Sequence, residues 1–592
     1  MSTALYKKVD YSLSRLIHDI DNGEIGLPDI QRPFVWPAKK VRDLFDSMYK
    51  GFPVGFFLFW SNEHMTKTRQ IGVDRKQHSI PRLLIVDGQQ RLTSLYAVLK
   101  GKPILTKDYR SQHIKIAFRP GDESFEVADA AIKRDPEYIA DISEIWSIGK
   151  NFYEVITDFL NKLKEARAKE NRDVTPEEQK KISEAIANLY SLQDFSFTAL
   201  EISSTVDEEQ VSEIFVRINS RGKQLNQADF ILTLLSVFWD DGRKELENFC
   251  RAARQPSADG SPSPFNHFIY PEPDQLLRAS IGLGFKRARL KNVYSILRGK
   301  DLQTGNFSEQ RREEQFEILK EAQGHVLNLQ NWHEFFKCLV LAGYRSSAMI
   351  SSQTGLIYSY VMFLIGKINC CVDLNRLRKL IAKWYFMVSM TSRYTTSSET
   401  MMEEDLVRLR GVTDADTFVN VFEKIIADVL TNDFWNITLV NDLETSSSQS
   451  PALRAYFAAL NLLDAEVLFS DMKISELLDP ALRSNRSPIE KHHLFPKNFL
   501  KSIGITSRRE INQVANYASV EWADNAKISD LSPVEYFPKF SQKYNQDELK
   551  QIMYWHALPE GWEGMNYFTF LEERRKLMAR VIRDGFKCLD EC

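Results

Sequence analysis

The chain has 592 residues, of which 43% are hydrophobic and 27% charged, with a net charge of −3. That length exceeds a single core and implies roughly three or four domains of about 100–200 residues each. The near-neutral balance excludes a globally basic nucleic-acid coat while leaving room for a local basic groove.

The six cysteines, Cys250, Cys338, Cys370, Cys371, Cys588 and Cys592, show no CxxC spacing. This pattern excludes a disulfide scaffold or a zinc ribbon and suits a reducing compartment. The first twenty residues contain no apolar signal core. The runs "GFFLFW" (55–60) and "FILTLLSVFW" (230–239) are too short to span a bilayer, and "LIYSYVMFLIGKINCCV" contains Lys367, so it reads as a buried helix. We expect a soluble, cytoplasmic protein.

In chain order, strand-like segments cluster before residue 120, at 54–60, 82–86 and 113–118. Within "LPDIQRPFVW" (27–36), prolines stiffen the chain around Gln31 and Arg32, and Trp36 reads first as a core anchor. "RLLIVDGQQRLTSLYAVLKGK" predicts a strand, a turn at Asp87-Gly88, and a helix whose apolar face is Leu92, Leu95, Tyr96 and Leu99, with Gly101 at its end. Gln89, Gln90 and Arg91 then occupy the first turn, where backbone N–H groups and a guanidinium attract anions; a capped turn with a solvated arginine is the plainer alternative. Residues 162–182 read as an exposed helix hairpin, with Thr175 as cap, Pro176 at the first helical position and Glu178 at the third. In "VSEIFVRINSRGKQLNQADF" (211–230), Val211, Ile214, Phe215 and Ile218 share a helical face, Arg217 points away from it, and Asn219 opens the following turn.

Polar stretches at 251–264, 395–405 and 444–451 look like seams, and 265–440 carries mainly helical periodicity. Arg393 and Tyr394 fall in a polar loop that either faces DNA or connects domains. Towards the C-terminus, "SPIEKHHLFPKNFL" (487–500) reads as a strand broken by Pro496, and "YASVEW" as a second strand flanked by Asn516 and Asn525. Ser532-Pro533-Val534-Glu535 opens a helix with a capping box. Strand alternation sends His492 and His493 to opposite faces, so the two rings take different roles. Lys527, Arg508, Arg509 and the run Arg574-Arg575-Lys576 are candidate contacts to a DNA backbone, with solvated surface charge the plainer reading of each taken singly.

The segments "IQRPFVW", "IVDGQQRLTSL" and "IFVRINSRGKQL" resemble, in this order, the marker motifs of the DUF262 domain of GmrSD-type modification-dependent restriction proteins. The strand–strand–helix order around the histidines is similar to the HNH finger of the DUF1524 domain paired with it. This resemblance implies an α+β multidomain protein. Its parts would be a ParB/sulfiredoxin-like nucleotide domain (1–250), a helical connector (265–440) and an HNH nuclease domain (451–592) holding a ββα-metal finger. It further implies a nucleoside triphosphate site lined by Gln31, Arg32, Asp87, Gly88, Gln89, Gln90, Arg91, Arg217 and Asn219, with Asp87 contributing to catalysis and to Mg²⁺ binding. His493 would be the general base, Asn516 would orient its ring, and His492 and Asn525 would hold Mg²⁺ or Mn²⁺. Glu490 and Asp524 are alternative ligands, since an acidic residue is more usual at position 492. The partners implied are double-stranded, modified phage DNA and a nucleoside triphosphate, with a homodimer possible. Two rival readings are a ParB-like DNA-binding sensor without turnover and an HNH-type RNase.

Overall fold

The computed structural model describes the chain except residues 1–4, 27–35, 62–81, 107–110, 147–151, 170, 207–209, 212–213, 215–230, 232–234, 236–238, 258–259, 298, 300–307, 396, 480–489 and 592. Gln31, Arg32, Arg217 and Asn219 therefore lie outside the described residues. The chain divides into two compact units, residues 1–240 and 241–592.

The first unit begins with β1 (Tyr6–Ser12), α1 (Leu13–Asp21), β2 (Ile25–Gly26), α2 (Ala38–Tyr49), β3 (Phe57–Ser61), β4 (Leu83–Asp87) and α3 (Gln89–Leu99). A short ladder of β5 (Ile104–Leu105) and β6 (Ser111–Gln112) follows, then the hairpin of β7 (Ile116–Arg119) and β8 (Ser124–Val127). The unit continues with α4 (Phe152–Ala168), α5 (Pro176–Tyr190) and β9 (Ser196–Ile202). Five strands make one mixed sheet in the order β1-β9-β3-β4-β2. Strand β3 is apolar without alternation because both of its faces are covered. Phe57 and Phe59 enter the main core, while Leu58 packs on the other side with Ile202, Val206 and Val211.

Strand β4 passes through Asp87-Gly88 straight into α3, whose Leu92, Leu95, Tyr96 and Leu99 are all buried, as the periodicity predicts. The hairpin α4–α5 is less exposed than the sequence suggests. Thr175 accepts a hydrogen bond from the Glu178 amide at 3.2 Å, as expected of a cap. Yet Phe159, Leu163, Ile182, Ile186 and Leu189 are buried in the main core, and only the charged faces meet solvent. Trp36 also packs against this core.

The second unit is mainly helical. Its helix Gln353–Leu364 is buried on every side from Gly355 onward and leads into a π-turn, where Lys367 donates to Asn331 Oδ1 at 2.6 Å. The polar stretch 395–405 is no linker: a helix starts at Ser398. Arg393 forks onto the buried Asp405 at 2.9 and 2.7 Å, and Tyr394 donates to the same carboxylate at 2.7 Å. A buried carboxylate needs such partners, so Arg393 and Tyr394 face the core and not DNA.

The sequence reading separates 265–440 from 451–592, whereas in the structure both stretches lie in one unit. The helix Pro451–Leu462, capped by Ser450, packs along the C-terminal helix Tyr567–Glu591. Gly585 permits this approach, since a Cβ there would lie 2.6 Å from Ala459 Cβ.

The strand-to-helix turn of the first unit depends on Gly88. Its φ is +93°, and an added Cβ would sit 2.5 Å from the Phe57 ring. Gly88→Ala is expected to destabilise the first unit by about 2–4 kcal/mol, read as a loss of midpoint in urea unfolding of the full chain.

Candidate active site

Strand β10 (Glu490–His493) pairs antiparallel with β11 (Tyr517–Val520), which sets His492 opposite Ala518 and His493 opposite Tyr517. The helix Trp522–Ile528 follows β11 directly and carries Asn525. The capped helix predicted at Ser532 is present as Pro533–Ser541, but it is the second helix after the strand.

Alternation along β10 separates the two rings. His492 is 3% exposed, with its Nδ1 2.8 Å from Asn525 Oδ1 and its ring edge-on to Tyr536. Its Nε2 is buried without a hydrogen-bond partner among the described residues. Burial pushes His492 down to about 4, with the Asn525 bond opposing the shift and the neighbouring His493 adding to it. The ring is thus neutral at physiological pH, the form that can donate a lone pair.

His493 is half-buried and lies against the Tyr517 ring, with centroids 4.6 Å apart. Its Nε2 is 3.0 Å from Asn512 Oδ1. Burial lowers its pKa, the Asn512 bond opposes this, and the Lys497 charge reinforces it. Because Asn512 Oδ1 can only accept, the ring proton belongs on Nε2, which leaves Nδ1 with the lone pair.

Asn516 does not orient His493. It is fully buried, and its Oδ1 accepts from the Phe495 amide at 2.9 Å. Its Nδ2 donates to the carbonyls of Phe495 at 3.2 Å and Ile511 at 3.1 Å, and its main-chain oxygen accepts from Leu494 N at 2.8 Å. Those bonds exhaust the amide, so the ring partner is Asn512, four residues earlier. The sequence reading missed Asn512 because it sits just past the end of the short helix Arg508–Ile511, outside any strand pattern.

The basic residues behave unequally. Arg574 is fully buried and braces the site, donating to the Ala515 carbonyl at 2.7 Å and to the His556 carbonyl at 3.2 and 3.1 Å. It cannot contact DNA. Arg575 is largely buried beside Glu444. Lys576 bonds Glu572 and Glu573, and Lys527 is exposed but pairs with Asp524 at 3.1 Å. Arg508 and Arg509 are exposed.

No group of three or more His, Cys, Asp or Glu side chains is gathered among the described residues. The donors next to each other are His492 and Asn525, a neutral imidazole and an amide oxygen. The nitrogen of His492 that faces Asn525 is Nδ1, and Nε2, which has no partner among the described residues, lies on the far edge of the ring. An ion shared by the two would sit between Nδ1 and Asn525 Oδ1, with the ring proton on Nε2, and would take its remaining ligands from phosphate and water.

In the first unit, Gly88 occupies the capping position of α3 and brings no side chain to its first turn. Arg91 is held: its Nη1 donates to the Phe56 carbonyl at 3.0 Å, and its guanidinium lies 5.3 Å from the centre of the Phe57 ring. Burial lowers its pKa, and the nearby Asp87 charge opposes that shift. The structure thus brings Asp87, Gly88, Gln89, Gln90 and Arg91 to one strand-to-helix turn.

Residues 13–236 match the family model described as the GmrSD restriction endonuclease, N-terminal domain. The match supports a GmrSD-type protein. It covers the DGQQR turn and stops short of the second unit, where the histidines lie. Over 624 aligned positions the chain is also 22% identical to the uncharacterized protein MJ0686 of Methanocaldococcus jannaschii, an alignment spanning 96% of this chain and 98% of that one. No helix among the described residues is long and apolar enough to cross a membrane.

Two outcomes test this geometry. Asn516→Ala is expected to destabilise the second unit by about 3 kcal/mol or more, because it strands buried main-chain groups, while Asn512→Ala leaves the urea midpoint nearly unchanged. The second concerns His556, which is 1% exposed, bonds the Glu466 carbonyl through Nε2 at 2.9 Å, and is pushed down to about 4, chiefly by burial. A depressed pKa contributes stability that is complete above the unfolded value of about 6.5 and is lost as pH falls through about 4, at most roughly 3 kcal/mol. His556→Gln should flatten that part of the stability-versus-pH curve.

Proposed function

We propose that the chain is a nucleotide-regulated, metal-dependent endonuclease of the GmrSD type that cleaves foreign DNA, its targets being modified phage DNA. The match over residues 13–236 supports the restriction class. The observation that carries the cutting role is the separate fixing of the two histidines, His493 by Asn512 and His492 by Asn525.

In this reading His493 Nδ1 takes the proton of a water whose oxygen attacks the scissile phosphorus. Asn512 holds the ring through Nε2–H and stabilises the imidazolium as it forms, since a donor to a carbonyl strengthens when charged. The P–O3′ bond breaks, and the departing 3′ oxygen takes a proton from solvent water to become a hydroxyl. His492 and Asn525 would hold Mg²⁺ or Mn²⁺, which supplies positive charge to the phosphate and the leaving oxygen when bound. Tyr517 restricts the ring of His493 from one side.

The first unit binds and hydrolyses a nucleoside triphosphate at the DGQQR turn. The amides of the first turn of α3 and the fixed Arg91 guanidinium face the phosphates, and Asp87 contributes a carboxylate to Mg²⁺. The sequence resemblance adds Gln31, Arg32, Arg217 and Asn219, which lie outside the described residues, to the residues expected at this site. The turn is not a P-loop of the GxxxxGK[ST] kind, so the phosphate cradle is of a different build.

His493→Ala should lower nicking of phage DNA by about 100- to 10,000-fold while sparing triphosphate hydrolysis, and Arg91→Ala should do the reverse or abolish the nucleotide dependence of nicking. Cleavage of DNA at the wild-type rate by His493→Ala contradicts the assignment.

A further inference from the structure

The helical unit contains a groove that neither histidine site uses. The turn after the helix Pro273–Phe285 brings Arg287 and Arg289 against the last turns of the helix Ser398–Arg408, which offers Arg408 and, just beyond it, Arg410. Together they line an open cavity of about 520 Å³. At its base Glu403 is buried, and its carboxylate accepts from Arg287 at 3.0 Å, Arg410 at 3.0 Å, and the main-chain amides of Ala288 at 2.6 Å and Arg289 at 3.1 Å. These bonds hold Glu403 ionised, below the usual carboxylate range.

The construction has a direction. Glu403 satisfies two of the four guanidiniums and latches the turn to the helix. Arg289 and Arg408 are exposed and have no partner among the described residues. Glu404 is the other acid of the lining, so four guanidiniums face two carboxylates, an excess of two positive charges in one cavity. Arginine keeps its charge at every physiological pH, and its planar fork suits a tetrahedral oxyanion that can accept from several donors at once. The exposed Val407 adds apolar surface beside the charges, where a sugar or base edge attached to the phosphate could rest.

We propose that this groove is a phosphate-binding site, taking a phosphodiester of a nucleic-acid backbone through Arg289 and Arg408. The site is independent of the cleavage reading, since it shares no residue with the histidine site or the DGQQR turn.

The test uses the full chain carrying Arg289→Ala and Arg408→Ala together. Both residues are exposed, so the melting temperature should match wild type. In EDTA, which separates binding from cutting, anisotropy of a short fluorescent duplex is measured across a salt series, with a fluorescent nucleoside triphosphate as the second arm. The expected result is duplex binding weakened about tenfold, with the slope of log K against log salt reduced in magnitude by about 2. Weakened triphosphate binding with unchanged duplex binding would keep the phosphate site and assign it to a free nucleotide. Unchanged binding of both probes would overturn the proposal.

Discussion

Asn516 commits its whole amide to the backbone around it, tying Phe495 and Ile511 together while its own carbonyl receives Leu494. Those bonds close the segment between β10 and β11 without solvent. A buried amide with every donor and acceptor matched is strongly favoured over any arrangement that leaves one open, because each unpaired group would cost about 1–3 kcal/mol. The consequence is positional. The chain leaves β10 at a defined angle, Asn512 is carried back to the ring of His493, and Tyr517 is set against its face. Arg574 secures the same segment from beneath through Ala515 and His556. Asn512, the polar group that touches the His493 imidazole, thus lies beside a network that does not itself touch the ring.

The two histidines then differ through burial and not through identity. His492 is sealed between Asn525 and Tyr536 and is held neutral, while His493 keeps partial access to solvent. A neutral buried imidazole is suited to lone-pair donation, and a half-exposed one to proton exchange. The first unit builds its own turn by a comparable steric argument. Phe57 presses so closely on residue 88 that only glycine fits, and the same ring supports the Arg91 guanidinium.

Local signals were legible where periodicity and capping chemistry decide the outcome. Helix α3, the Thr175 cap, the apolar strand β3 and the opposed histidines of β10 all follow from residue spacing. The misreadings share one cause, which is that polar residues can be structural. Arg574, Arg393 and Tyr394 carry the chemistry of a surface, yet each satisfies a buried carbonyl or carboxylate. The family resemblance assigns the ring-orienting role to Asn516, whereas three-dimensional closure spends it on the backbone and lets Asn512 reach the ring. The helix Trp522–Ile528 was missed because "YASVEW" alternates up to its first residue. Such assignments depend on which groups become buried together, which a one-dimensional pattern does not encode.

The central claim is that His493 acts as the base that activates water at this site. Chemical rescue tests it most directly: His493→Gly is assayed for nicking of phage DNA with Mg²⁺ or Mn²⁺, with and without added imidazole. The account predicts an inactive variant whose nicking returns with imidazole concentration, and wild-type nicking that imidazole does not increase. Nicking by His493→Gly at the wild-type rate without imidazole would contradict it.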